Sequence, residues 1–135
     1  MPSQAYFDAL VRLTAAAPSF PDWRNDEGVK DASGSIAHAI IGNLCRHLLY
    51  RLDAGDTDEF DAVIDEAERI MGEDDADAAD LAATGVVEDL FNISGWRILR
   101  GESLLQPAML RTRLPPRCRA YWDAWDKFTP PRRHR

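Results

Sequence analysis

The sequence predicts an all-α protein, an irregular bundle of five or six helices. Three observations indicate this fold. Apolar residues recur at spacings of three and four along several segments, no segment shows the sustained alternation of a strand, and glycine or proline separates the segments. The chain has 135 residues, of which 45% are hydrophobic. A chain of this length and composition can bury one core, so we expect a single helical domain over 1–128.

The first two helices are marked by capping and stop residues. Ser3 can cap a helix that ends near Ala16, ahead of Pro18. The second helix, from about 35 to 53, is the most apolar segment of the chain and is therefore expected at the centre of the bundle. Gly55 is a suitable stop signal just beyond it.

Two further helices are predicted in the middle of the chain. Thr57 is the expected N-cap of the third, and Gly72 closes it. The fourth runs from about 77 to 92 and contains Gly85. A glycine inside a helix costs about 1 kcal/mol relative to alanine. We therefore expect another helix to cross closely at this position.

The C-terminal part is expected to hold a short helix within 104–110 and a last helix over 116–128. The segment 93–99 is apolar but is assigned no element. Aromatic residues at helical spacing form a stripe on the last helix: Tyr121, Trp122, Trp125 and Phe128. The remaining residues, 129–135, are rich in proline and arginine and are predicted to form a flexible basic tail.

Charge is distributed very unevenly along the chain, whose net charge is −7. Residues 53–92 contain fifteen acidic residues and one basic residue, whereas residues 93–135 contain ten basic and three acidic residues. A concentrated negative field speeds the encounter with a positively charged partner and adds specificity. The middle of the chain is therefore the candidate for an interaction surface.

Spacings of three or four place several carboxylates of the third helix on one face. The ordinary interpretation of such a run is a solvated helix face, and the functional one is a surface that binds a basic protein partner. Some of the C-terminal arginines, from Arg111 to Arg119, could instead pair with this face inside the molecule. The predicted partner-binding residues are Asp58, Asp61, Asp65, Glu66, Glu68, Asp74, Asp75 and Asp77.

The sequence contains no motif of a catalytic or metal site. There is no Gly-x-Ser-x-Gly elbow, phosphate-binding loop or His-Glu-x-x-His, and neither EF-hand spacing nor Glu-x-x-His pairs occur. His38 and His47 lie nine residues apart on one helix, and Cys45 and Cys118 are expected to be buried free thiols. We therefore predict a protein that is not an enzyme and has no metal or cofactor.

Nucleic acid and membrane are disfavoured as partners. The arginines of the last third suggest contact with nucleic acid, but a net charge of −7 repels phosphate over the molecule as a whole. No stretch approaches the roughly 18 consecutive apolar residues of a membrane span. The first residues lack the features of a signal peptide, so a cytoplasmic location is expected.

Two short stretches carry a family resemblance: Thr84-Gly85-Val86-Val87-Glu88, and Trp122 to Trp125 within the aromatic helix. In these stretches and in the order of its helices over 36–128, the chain resembles small helical proteins that are encoded beside bacterial polymorphic toxins and are assigned an immunity role. The resemblance implies stoichiometric binding and neutralisation of a cognate toxin domain, with no catalytic residues. It adds no contact residues beyond those that charge indicates.

Two other functions stay open from the sequence. One is a regulatory or scaffold module that forms a homodimer through the C-terminal aromatic helix. The other is a small hydrolase or other enzyme with an unrecognised site, which a deep pocket joining Glu88, a histidine and an arginine would favour.

Overall fold

The structure of this protein, a computed structural model, describes residues 3–21 and 34–128. Within these residues six helices pack into a bundle and there is no strand, which confirms the predicted all-α fold. No helix in this part of the chain combines the length and apolar character needed to cross a bilayer. The predicted tail over 129–135 lies outside the described residues. The helices are α1 Gln4–Ala15, α2 Gly34–Asp53, α3 Asp58–Met71, α4 over 76–99, α5 Pro107–Arg111 and α6 Pro116–Phe128.

The fourth helix is longer than the sequence predicts. It consists of α-helix Ala76–Asp80, a π-helical segment Leu81–Val87 and α-helix Glu88–Leu99. The predicted end near residue 92 is therefore wrong. Ser94 and Gly95 resemble a break in the sequence, but Ser94 is buried and its hydroxyl donates to the Phe91 carbonyl oxygen at 3.0 Å. Burial of the helix overrides the weak local preference of these two residues.

The close helix crossing expected at Gly85 is present, and the partner is α2. A Cβ atom on Gly85 would lie 3.1 Å from Cγ2 of Ile41. The thiol of Cys45 lies 3.6 Å from the carbonyl oxygen of Val86, so the next turn of α2 also approaches the backbone of α4. Ile41, Cys45 and Leu48 are completely buried, which confirms α2 as a central helix.

Helix ends confirm two of the capping predictions and correct a third. The hydroxyl of Ser3 accepts a hydrogen bond from the first turn of α1, and Gly55 adopts the left-handed φ of 90° just after α2. Thr57 occupies the N-cap position of α3 but makes no side-chain bond there, because its backbone is helical rather than extended. Asp56 supplies the acceptor instead, at 3.1 Å from the Asp58 nitrogen.

The aromatic stripe of α6 faces the core. The ring of Trp122 is 2% exposed and packs edge-on against Phe91, with 4.9 Å between ring centroids. The indole nitrogen of Trp125 donates to the Asn92 side chain at 3.2 Å. Of the four stripe residues, all within the described chain, Phe128 alone is largely exposed. The surface predicted for a homodimer therefore keeps one exposed aromatic ring.

Candidate functional site

The carboxylates of α3 divide into three sets by their position around the helix. Its apolar face is buried in the core, while α1 packs on one side and α6 on the other. We call Glu59 and Glu66 the α1-side flank, Asp61 and Glu68 the α6-side flank, and Asp58 and Asp65 the crest. This division decides which charges the fold itself uses.

The α6-side flank is paired with C-terminal arginines. Arg113 holds Asp61 through two bonds of 3.1 and 2.8 Å. Glu68 accepts the backbone N–H groups of Arg117 and Cys118, both at 3.0 Å, and the Arg117 guanidinium at 3.1 Å. Glu68 therefore caps the N-terminus of α6 from a neighbouring helix. Burial would raise the pKa of Glu68, but the hydrogen bonds from α6 outweigh it and lower that pKa.

The α1-side flank is also paired. Glu66 accepts a bond of 2.6 Å from Nε of Arg12 and one of 2.9 Å from Nε of Arg69. The two other guanidinium nitrogens of Arg12 reach Glu73 at 2.9 and 3.0 Å. Burial would raise the pKa of Glu66, but the two arginines lower it on balance. Arg12 thus joins α1 to α3 at Glu66 and to the turn after α3 at Glu73.

The other residue of that flank, Glu59, lies in a buried polar cluster that the sequence did not reveal. Its carboxylate accepts hydrogen bonds from the Ser19 N–H at 2.8 Å and from the Ser19 hydroxyl at 2.5 Å. It also lies 3.1 Å from Nε2 of His47. Burial would raise the pKa of Glu59, and the bonds from Ser19 and His47 lower it overall. Because the three residues are 12 to 40 positions apart, no local motif marks the cluster.

A serine, a histidine and a glutamate in contact invite comparison with a catalytic triad, but the geometry differs. In a triad the carboxylate orients the histidine through one ring nitrogen and the nucleophile bonds the other. Here Nε2 of His47 is the atom that contacts both Ser19, at 2.9 Å, and Glu59. The short Ser19–Glu59 bond directs the hydroxyl proton to the carboxylate. The cluster therefore anchors the turn after α1 onto α2 and α3.

The premise that the acidic surface is unneutralised by the protein's own cations is thus wrong for Asp61, Glu66 and Glu68. The physical reason is that α1 brings an arginine to one flank of α3, while α6 and the turn before it bring arginines to the other. Internal pairing, the alternative left open by the sequence, is confirmed for Arg113 and Arg117. Arg111 instead pairs with Asp123, on α6 itself.

The remaining predicted residues lie on the crest and in the turn before α4. The carboxylates of Asp58, Asp65 and Asp74 are exposed and have no hydrogen-bond or ion-pair partner among the described residues. Asp75 caps α4 by accepting a hydrogen bond from the Ala78 N–H at 2.8 Å. Asp77 accepts one from the Ser3 N–H at 3.3 Å. A role of these residues in binding a partner stays a prediction.

The histidines and cysteines of the described residues do not combine with the carboxylates into a metal-binding group. Across 3–21 and 34–128, no three His, Cys, Asp or Glu side chains are grouped so as to hold a metal ion. Both thiols are buried and free, as predicted. Burial raises the pKa of Cys45 well above its ordinary value and that of Cys118 to about 12, which leaves both as unreactive thiols.

A cavity of about 510 Å³ lies between α2 and the end of α4, and sequence reasoning missed it. The sequence signal for this cavity is the pairs Arg46/Tyr50 and Trp96/Arg100, whose members are four residues apart. The second pair indicates a helix face only if 93–99 is helical, and the sequence predicts no helix there. Glu88 does not line this cavity and instead accepts a hydrogen bond from Tyr121 at 2.9 Å. This cavity therefore does not join Glu88 to a histidine and an arginine, the arrangement expected of a hydrolase.

Comparison with known proteins identifies a family whose function is unknown. The chain belongs to the family described as a domain of unknown function (DUF7674), whose model matches residues 11–129. No curated protein and no solved structure matches the chain. The family description names no ligand, partner or reaction, so the functional argument depends on the geometry of this chain.

Proposed function

We propose that this member of the DUF7674 family is a non-enzymatic binding protein that neutralises a basic protein partner. The surface is the crest of α3 together with the turn that follows the helix. A toxin domain is the partner that the resemblance to immunity proteins implies, and the cytoplasm is where such an inhibitor acts. The observation that carries the proposal is the exposed set Asp58, Asp65 and Asp74, whose carboxylates lack a cation among the described residues.

The flanking ion pairs favour this role because they hold the crest rigidly. Glu66 and Glu68 are largely buried, with side chains 14% and 15% exposed, and they bind α3 to α1 and α6. A helix fixed on both sides presents its outer carboxylates with little entropy left to lose on binding. The crest is therefore preorganised for a cationic surface.

One flank pair can also join such an interface. Asp61 and Arg113 have side chains that are 45% and 36% exposed. An exposed pair of this kind contributes roughly 0–1 kcal/mol to stability. A guanidinium group from a partner can therefore replace Arg113 at Asp61 at small cost, which extends the acidic surface from the crest.

The kind of toxin that fits best is one whose own site is cationic. A nuclease site that normally holds a phosphate backbone presents arginine and lysine side chains. A rigid row of carboxylates covers such a site and competes with nucleic acid by charge complementarity. Inhibition then needs contact alone, with no reaction at the inhibitor.

The first experiment is a pull-down with the protein encoded by the neighbouring gene, followed by measurement of association rates at several salt concentrations. The double variant Asp58→Asn/Asp65→Asn should slow association about tenfold at low salt, because steering depends on these charges. The double variant Asp8→Asn/Glu102→Gln removes two charges elsewhere and is the matched control. A neighbour that does not bind, or equal slowing by the two double variants, would contradict the proposal.

A further inference from the structure

We propose that the cavity between α2 and the end of α4, here the α2–α4 cavity, binds a small aromatic anion. This class of ligand has a planar ring and a carboxylate or phosphate group. The volume of about 510 Å³ lies within the roughly 300–1,000 Å³ typical of small-molecule sites. The inference goes beyond the proposed function, since it concerns another face and a partner of opposite charge. The cavity is lined by Arg46, His47, Tyr50, Ile93, Trp96, Arg97 and Arg100.

The fold brings these side chains together from two helices. Ile41 lies against Gly85, and Asp53, at the end of α2, pairs with Arg97 at 2.7 Å, so the two helices run in the same general direction. The lining residues of α2 fall within one turn. Those of α4 are spaced by three, four and seven positions from Ile93, which places them on one helix face. The extension of α4 beyond residue 92 is what creates the site.

The arginines of the cavity have more donors than the protein satisfies. Arg97 uses Nη2 for Asp53, while its Nη1 is buried and makes no hydrogen bond among the described residues. Arg46 donates to the neutral Asn43 side chain at 3.3 Å and has no ion-pair partner in the described chain. An unsatisfied buried donor costs about 1–3 kcal/mol. An anionic acceptor in the cavity gives Arg46 the charged partner that the described chain does not supply.

Carboxylates near the cavity offset only part of this positive charge: Asp53 pairs with Arg97, and Asp89 interacts electrostatically with Arg46 without forming an ion pair. Arg100 lies 3.8 Å from Glu102, and both side chains are largely exposed, so the pair is weak. Glu59 is already bound to His47 and Ser19. The cavity thus offers guanidinium donors, of which Arg46 has no ion pair in the described chain, on a molecule whose net charge is −7.

Aromatic rings complete the recognition surface. Tyr50 is 71% exposed and Trp96 is 47% exposed, which is unusual for rings of this size. The Arg100 guanidinium lies 5.3 Å from the centre of the Trp96 ring, so the two form a cation–π pair. A planar ligand ring stacks on such a platform, while the guanidinium groups bind its anionic group.

A small anion fits the charge of the molecule better than a long one. An extended polyanion would also meet the carboxylates of α3 and the overall negative field. A small ligand senses mainly the charges within about one Debye length, roughly 8–10 Å. The same argument disfavours an acidic peptide, which would carry several charges beyond the cavity.

The test uses the full chain, with isothermal titration calorimetry and tryptophan fluorescence. Adenosine 5′-monophosphate and indole-3-carboxylate represent the phosphate and carboxylate sources of the ligand. Adenosine supplies only the aromatic ring and inorganic phosphate only the anionic group, so each is a half-ligand. We expect at least one aromatic anion to bind with a Kd below about 1 mM, and the matching half-ligand to bind at least about tenfold more weakly. Whichever of the two aromatic anions binds more tightly shows whether the site prefers a phosphate or a carboxylate.

Paired charge variants locate the site. Arg46→Gln/Arg100→Gln should weaken binding about tenfold or more, whereas Arg119→Gln/Lys127→Gln removes two exposed cations of α6 and should change it less than about twofold. Thermal melts of both variants verify the fold. The proposal is overturned if neither aromatic anion binds below about 1 mM, if a half-ligand binds equally well, or if both double variants lose the same affinity. It is also overturned if a glutamate decapeptide binds more tightly than both small anions.

Discussion

Helices α3 and α4 are held in the bundle by different physical means. The π-helical segment of α4, Leu81–Val87, contains no charged residue and packs against α2 through the close approach at Gly85. In contrast, α3 has six acidic residues in fourteen, and those on its flanks bind neighbouring elements. The π-helical segment therefore depends on shape, whereas the flanks of α3 add ionic contacts to its buried apolar face. The contribution of apolar packing to stability does not depend on ionisation, whereas that of ion pairs changes with pH and salt. Measurements at several pH values and salt concentrations should therefore separate the two contributions.

The largest effect is expected from filling the space at Gly85. Gly85→Leu should lower the free energy of unfolding by about 3 kcal/mol, because even Cβ would lie 3.1 Å from Ile41. The loss should be the same at pH 5 and pH 7.5 in urea unfolding. A matched control is Gly95→Ala on the same helix, where a Cβ meets nothing within 4 Å. It should gain about 0.5–1 kcal/mol from helix propensity. Unchanged stability of Gly85→Leu would refute the close crossing.

The next effect is expected at the carboxylate that caps α6. Glu68→Ala should cost about 1.5 kcal/mol at pH 7, because two backbone N–H groups lose their acceptor. The pKa of Glu68 is lowered from its ordinary value of 4.5, so its contribution is complete above that pH. As pH falls through the lowered pKa, the contribution is lost in the wild type, and the difference between the two proteins should shrink.

The control for this substitution is Asp65→Ala, three residues earlier on the same helix. Asp65 is exposed on the crest and has no side-chain partner among the described residues, so its removal should leave stability nearly unchanged. Urea unfolding between pH 3.5 and pH 7 measures both variants. A difference between Glu68→Ala and wild type that stays constant over this range would show that the carboxylate charge is not what holds α6.

A smaller effect of opposite sign is expected at Asp89 of α4. Burial raises the pKa of Asp89 to about 6, although His38 and Arg46 partly offset it. Its folded form therefore binds protons more tightly than its unfolded form between about pH 4 and pH 6, and stability falls as pH rises through this window. After allowance for solvent screening, Asp89→Asn should gain about 1 kcal/mol at pH 7.5 and almost nothing at pH 4.5. Equal stability differences at the two pH values would contradict this assignment.

The smallest effect on stability is expected at the crest. Asp58→Asn/Asp65→Asn should change the free energy of unfolding by less than about 0.5 kcal/mol, since these carboxylates have no partner in the described chain. A small loss of favourable helix-dipole charge at Asp58 is offset by relief of repulsion along the face. Chemical unfolding at pH 7 tests this. A loss above about 1 kcal/mol would show that the crest, like the flanks, is used by the fold.

Local chemistry made most of the fold predictable. Periodicity and end signals such as Ser3, Gly55 and Gly72 act within one or two turns, so they can be read without knowing the neighbours. Gly85 even indicated a helix crossing, because its cost inside a helix needs a compensating contact. The sequence does not predict the end of α4 because Ser94 and Gly95 are weak helix formers, and the burial of Ser94 in the bundle is a tertiary property.

The candidate sites divide in the same way. Spacing alone determined that Asp61, Asp65 and Glu68 share a face of α3, because helical geometry is local. Only the tertiary structure decided that Asp61 and Glu68 meet arginines while Asp65 does not, since α6 packs against one edge of that face. The α2–α4 cavity likewise depends on side chains of two helices that lie more than forty positions apart in sequence. A charge pattern thus determines where carboxylates lie, and packing between helices determines which of them remain available.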